Sequence, residues 1–148
     1  MTAWVFGKLP VHGDFVARGM TAEDRAAFDT WLSASLLDAR ETYGAGFADR
    51  FDAAQPWRAE GDGVAGAVAA SQDAVGRRFP LLLLTAAAAF DPAACEELLR
   101  SAIMEGWDVD RLAMAAERPD GAVQRWVGAD GRILTGKRPV DLVRAMLA

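Results

Sequence analysis

Between residues 21 and 43, Phe28, Trp31, Leu32, Ser35, Leu36, Ala39 and Tyr43 recur at three- and four-residue spacing. That stripe predicts a long helix with one face on a core. Thr21 is placed to cap it, and Glu23 and Asp24 lie in the first turn, where the helix dipole favours acids. Gly44 and Gly46 end it. A second helix starts at the cap Asp91, with Pro92 at its first position and Glu96 and Glu97 in its first turns. It runs to about Glu105 through Cys95, Leu98, Leu99, Ala102 and Ile103. Residues 139–147 predict a closing helix, while residues 111–116 fit either a strand or a short helix.

Strand signals lie between these helices. Residues 78–89 form the best one, because the four consecutive leucines at 81–84 suit a central strand covered on both faces. Residues 3–6 read as a first strand, 55–60 as a strand with Trp57 pointing inward, and 64–70 as a small, apolar, buried strand. Residues 122–127 and 132–135 flank Gly128-Ala129-Asp130-Gly131, the pattern of a hairpin. Gly7, Pro10, Gly13 and Gly19 make residues 7–19 a loop. Strands interleaved with helices predict an α/β fold: a mixed central sheet flanked by helices on both faces, in a single domain over residues 1–148.

Composition narrows the functional classes. The chain has 148 residues, 52% hydrophobic and 25% charged, and a net charge of −5. A domain of this size buries roughly 70% of the surface of its unfolded chain and needs no staples. The acidic balance argues against a nucleic-acid or anionic-membrane partner, since both select a basic face. Cys95 is the one cysteine and His12 the one histidine, so neither a disulfide nor a Cys/His zinc site is expected, and no cofactor is called for. The longest apolar run, residues 79–89, is shorter than the roughly 20 residues a membrane helix takes. The opening residues lack the basic and apolar blocks of a signal peptide, which leaves the cytoplasm as the expected location.

Four features are candidates for chemistry. Gly61-Asp62-Gly63-Val64-Ala65-Gly66 spells the glycine pattern of a dinucleotide-binding turn, but the charged segment before it does not suit a buried first parallel strand. A glycine-rich turn between strands is the simpler reading. Gly131-Arg132-Ile133-Leu134-Thr135-Gly136-Lys137 matches the first seven positions of a P-loop, yet Arg138 stands where a hydroxyl must hold magnesium. His12 and Asp14 flank Gly13 in a loop, where a histidine near a carboxylate has the makings of a general base. Arg77 and Arg78 precede the central strand, placed to bind an anion, a partner carboxylate, or an internal acid such as Asp14 or Asp73. A small nucleotide-binding or hydrolytic enzyme built on His12, Asp14 and Arg77 is the alternative to a binding module.

Two stretches stand out together. The first is Trp4-Val5-Phe6-Gly7-Lys8-Leu9-Pro10-Val11-His12-Gly13-Asp14-Phe15-Val16, with Arg18-Gly19 after it. The second is Ser71-Gln72-Asp73-Ala74-Val75-Gly76-Arg77-Arg78-Phe79-Pro80-Leu81. The pair resembles the TagF (ImpM) family of type VI secretion accessory proteins, as do Trp31 and Pro56-Trp57-Arg58 between them. Ala70 departs from the family's usual proline and Val64 from its tryptophan, and the C-terminal half is shortened. The resemblance implies a non-enzymatic cytoplasmic protein that represses secretion after translation by binding secretion components, with a forkhead-associated (Fha) scaffold protein as a candidate partner. It also marks Lys8, His12, Asp14, Ser71, Asp73, Arg77 and Arg78 as a candidate partner-binding surface. The polar residues of the two stretches are expected to meet in space.

Overall fold

The computed structural model describes residues 2–148. Seven strands form one sheet: β1 (Trp4–Gly7), β2 (Val16–Arg18), β3 (Trp57–Gly61), β4 (Val64–Gln72), β5 (Arg78–Thr85), β6 (Arg125–Val127) and β7 (Ile133–Thr135). Their order across the sheet is β2-β1-β5-β4-β3-β6-β7. Five α-helices accompany them, α1 (Ala22–Tyr43), α2 (Phe47–Ala53), α3 (Pro92–Glu105), α4 (Val109–Met114) and α5 (Leu142–Leu147), with a 3-10 turn at Gly44–Gly46 between α1 and α2.

The leucine run is an interior strand, as its continuous apolarity predicts. β5 lies between β1 and β4, and its side chains divide by parity. Leu82 and Leu84 join a core with α1, α2 and α5, while Leu81 and Leu83 join a second core with α3 and α4. Helices therefore cover both faces, completing the α/β architecture. The α3 face of β4 is all alanine: Ala65, Ala67 and Ala69 meet Cys95, Leu99 and Ala102. Such small residues let the helix lie close to the sheet.

One detail differs from the expected mixed sheet. All six strand pairings are antiparallel. Short hairpins join β3 to β4, β4 to β5 and β6 to β7, and a hairpin can join only antiparallel neighbours. The glycine-rich stretch is the first of these turns, as the simpler reading has it. No helix follows it. Gly61 lets the chain pass close by: a Cβ there would stand 2.4 Å from the Ala122 carbonyl oxygen. The P-loop-like stretch is strand β7 and the turn after it.

The capping signals are met closely. Thr21 accepts a bond from the Asp24 N–H at 3.1 Å, and Asp91 accepts one from Ala94 N–H at 2.7 Å. Ser35, the polar member of the long stripe, is fully buried. Its hydroxyl accepts the Val143 N–H at 3.0 Å, so α1 supplies the cap that the first turn of α5 lacks in its own sequence. The open choice over residues 111–116 resolves as helix: α4 runs from Val109 to Met114 and is capped by Asp108. Two elements lie where no element was expected, β2 inside the loop at 7–19 and α2 after Gly46, and residues 86–89 turn away from the sheet instead of extending β5.

Candidate functional site

The loop after β1 and the turn between β4 and β5 meet at one end of the central strands. The centre of the contact is Asp73, whose side chain is wholly buried. Its Oδ1 accepts the main-chain N–H groups of Val75 at 3.1 Å and Arg77 at 3.0 Å. Its Oδ2 takes Arg77 Nε at 2.7 Å and Lys8 Nζ at 3.1 Å. Burial alone would raise the carboxyl's pKa, but the bonds from the Arg77 main chain, Lys8, the Arg77 side chain and Val75 together hold it well below the usual range.

Around this carboxylate the two loops are tied by their main chains. Ser71 Oγ donates to the Lys8 carbonyl at 2.7 Å. Ala74 N–H donates to the His12 carbonyl at 2.8 Å, and Arg77 Nη2 to the Gly13 carbonyl at 2.7 Å. His12 braces a third element. Its Nε2 accepts the Val109 N–H, the start of α4, at 3.0 Å.

Lys8, His12, Ser71, Asp73 and Arg77 are thus brought together. Asp14 and Arg78 are not part of the network. Asp14 is exposed and accepts only its neighbour Phe15 N–H, at 2.7 Å, which closes the loop on itself. Arg78 turns to α2, where Nε and Nη2 grip Asp52 at 2.8 and 2.7 Å. That fork lowers the Asp52 pKa, chiefly through the hydrogen bond from Arg78. The geometry selects Asp73 over Asp14 as the internal acid for Arg77 because only Asp73 lies in the same tight turn.

The chemistry available here is that of a brace. Ser71 is buried and commits its hydroxyl to a carbonyl, and His12 commits its acceptor nitrogen to an amide. Cys95 lies in the core on the α3 face, where burial, followed by the charge of Asp91, pushes its thiol up to about 12. Among the described residues, no three of His, Cys, Asp and Glu group as metal ligands.

Several large apolar side chains face solvent here beside the exposed Asp14, Gln72 and Arg77. Val11, Phe15 and Val75 on the two loops are 46%, 40% and 72% exposed, and Met104 near the end of α3 is 79% exposed. Phe15 is exposed yet fixed. Its ring packs edge-on to Phe79 at 4.8 Å and lies under Lys8 Nζ at 4.7 Å. Sequence reasoning singled out the polar residues and passed over these four. For the three loop residues, an apolar residue at a loop tip, outside any helix or strand period, was the available signal.

Fold and site together define a three-layer α/β protein whose two polar loops brace each other at one end of an antiparallel sheet. The chain belongs to the family described as the TagF N-terminal domain, type VI secretion system-associated, whose model matches residues 4–127. That membership connects it with type VI secretion. The crystal structure of PA0076 from Pseudomonas aeruginosa PAO1 has a similar fold, with a TM-score of 0.66 at 24% identity over 97% of this chain and 78% of that one. No relative matches among curated proteins. No helix among the described residues is long and apolar enough to cross a membrane.

Proposed function

We propose that the protein is a non-enzymatic, cytoplasmic repressor of type VI secretion that acts by occupying a partner protein. The partner is a component of the secretion apparatus, with an Fha scaffold protein the first candidate. One observation carries this reading: the buried polar groups of the signature loops are turned inward on each other, and the loops hold Phe15, Val11 and Val75 outward on a rigid mount. A fixed, exposed aromatic ring such as Phe15 is of the kind enriched at interface cores, and near-neutral neighbours such as Val11 and Val75 exclude water around it. Lys8, Asp73, Ser71 and His12 act as the mount. Arg77, whose side chain is 60% exposed, and Asp14 supply polar contacts at the rim. Arg78 belongs to the α2 side and supports the strand entry.

The test is export of the apparatus's tube protein in a host with active type VI secretion. Excess wild-type protein should silence export, because a binding module acts in proportion to its concentration. Phe15→Ala and Val75→Asp should restore export while circular dichroism shows an intact fold. An anchor worth about 2 kcal/mol weakens binding roughly 30-fold. Folded variants that silence export as well as the wild type would remove this surface from the mechanism. Export unchanged by excess wild-type protein would remove the repressor reading itself.

A further inference from the structure

The two ends of the sheet are treated differently. At β2 the edge is blunted: Arg18 Nη1 bonds the Ala17 carbonyl at 2.8 Å and Arg18 Nε pairs with Asp110 on α4. At β7 it is open. The bonds from Gly128 N–H to the Arg132 carbonyl at 2.9 Å and from Gly136 N–H to the Gln124 carbonyl at 2.8 Å fix the phase of the β6–β7 ladder. Arg132, Leu134 and Gly136 turn their main-chain groups toward β6. Ile133 and Thr135 therefore turn theirs outward, and no hydrogen bond to them is made by any described residue outside the sheet. The Ile133 side chain is 58% exposed, directly across from Val127.

Charge decides what such an edge accepts. Residues 132–138 carry Arg132, Lys137 and Arg138 and no acid, on a chain of net charge −5. Asp130 neutralises Arg132, while Lys137 and Arg138 are exposed and pair with no acid among the described residues. They are also held in place. Trp126 Nε1 bonds the Lys137 carbonyl at 3.3 Å and Trp31 Nε1 the Pro139 carbonyl at 2.8 Å. A second copy of the chain is a poor occupant. Antiparallel self-pairing about Leu134 would set Ile133 against Thr135 of the copy, Lys137 against Gly131 and Arg138 against Asp130, an acid already held by Arg132, so neither unpaired cation would find a free carboxylate.

We propose that β7 is a docking edge for an extended, acidic segment of a partner protein, which adds to the sheet as an eighth strand. The outward N–H and C=O groups of Ile133 and Thr135 supply main-chain bonds, Ile133 takes an apolar side chain beside it, and Lys137 and Arg138 select acidic residues at one end. This edge lies at the opposite side of the sheet from the braced loops, so it stands independently of the repressor reading.

The test uses the whole chain and two blocked seven-residue peptides, one alternating glutamate and valine, the other lysine and valine. Amide resonances and hydrogen exchange are followed during titration at low salt. The glutamate peptide should shift the Ile133 and Thr135 amides, slow their exchange at least tenfold, and bind at least tenfold tighter than the lysine peptide. Reversing both cations, Lys137→Glu with Arg138→Glu, should weaken binding at least tenfold. Thr135→Pro removes an outward N–H that makes no internal bond, a position where an edge tolerates proline, and should abolish protection at Ile133. Three results would overturn the proposal: unchanged Ile133 and Thr135 amides, equal binding of both peptides, or a peptide-free dimer formed through β7 in sedimentation.

Discussion

Replacing Trp31 with alanine removes the indole that joins the long helix to the C-terminal third of the chain. Trp31 is 6% exposed, lies 5.4 Å from the Trp126 ring and 6.0 Å from Phe28, and donates Nε1–H to the Pro139 carbonyl at 2.8 Å. An indole buries roughly 200 Å², and at about 25 cal/mol per Å² its transfer contributes about 5 kcal/mol. Measured losses for such truncations run about 3–5 kcal/mol. For a chain of this length each kcal/mol moves the melting temperature by about 2–4 °C, so Trp31→Ala should melt roughly 6–20 °C lower. Trp31→Phe keeps most of the packing and loses the bond to Pro139, which predicts a loss of about 1–2 kcal/mol. Urea unfolding followed by far-ultraviolet circular dichroism measures both, free of signal from the other four tryptophans. A loss under about 1 kcal/mol for the alanine variant would show that the α1–α5 contact does not hold the fold together.

Two further predictions concern the braced loops. The Asp73 carboxyl has a native pKa below its unfolded value of about 3.9, so its stabilising contribution is complete above that pH and is lost as pH falls toward the native value. Urea midpoints should therefore drop more steeply below pH 4 in the wild type than in Asp73→Asn, and parallel curves would refute the assignment. Gly7 sits at φ +133°, and a Cβ there would lie 2.0 Å from the Pro80 carbonyl oxygen. Gly7→Ala should cost about 3 kcal/mol through strain and separation of β1 from β5, whereas Gly13→Ala, which meets nothing within 4 Å, should be near neutral in the same denaturation assay.

The sequence was most legible where local chemistry and burial agree. Thr21 and Asp91 announce helix starts because their side chains satisfy amides three residues on. The leucines at 81–84 announce a two-sided strand because both parities are apolar. What escaped is set by distant partners. β2 is three residues long and exists because Val16 pairs with Gly7 across a turn. Helix α2 has no capping side chain of its own, and Arg78 holds it through Asp52. Strand direction also depends on which hairpins close, and short loops alone would have favoured antiparallel pairing. At the site, charge-bearing types drew attention to Asp14 and Arg78, which lie outside the buried network: Asp14 is exposed and Arg78 pairs with Asp52 on α2. Phe15 and Val75 carry no chemical signature in a sequence, since only their placement outside the core makes them informative.

The order of the strands also shapes how the chain is made. Phe6 must pair with Leu82, whereas β3, β4 and β5 follow one another as a meander. On a ribosome adding about 5–20 residues per second, β1 emerges roughly 4–15 s before β5 exists. Through that interval Val5 and Phe6, buried in the finished protein, have only the short strand β2 as a neighbour. The meander has the shorter loops and closes at lower entropic cost, so it is the template onto which the older N-terminal segment later docks. The two braced loops form at that same docking step, which makes the signature surface one of the last parts of the molecule to appear.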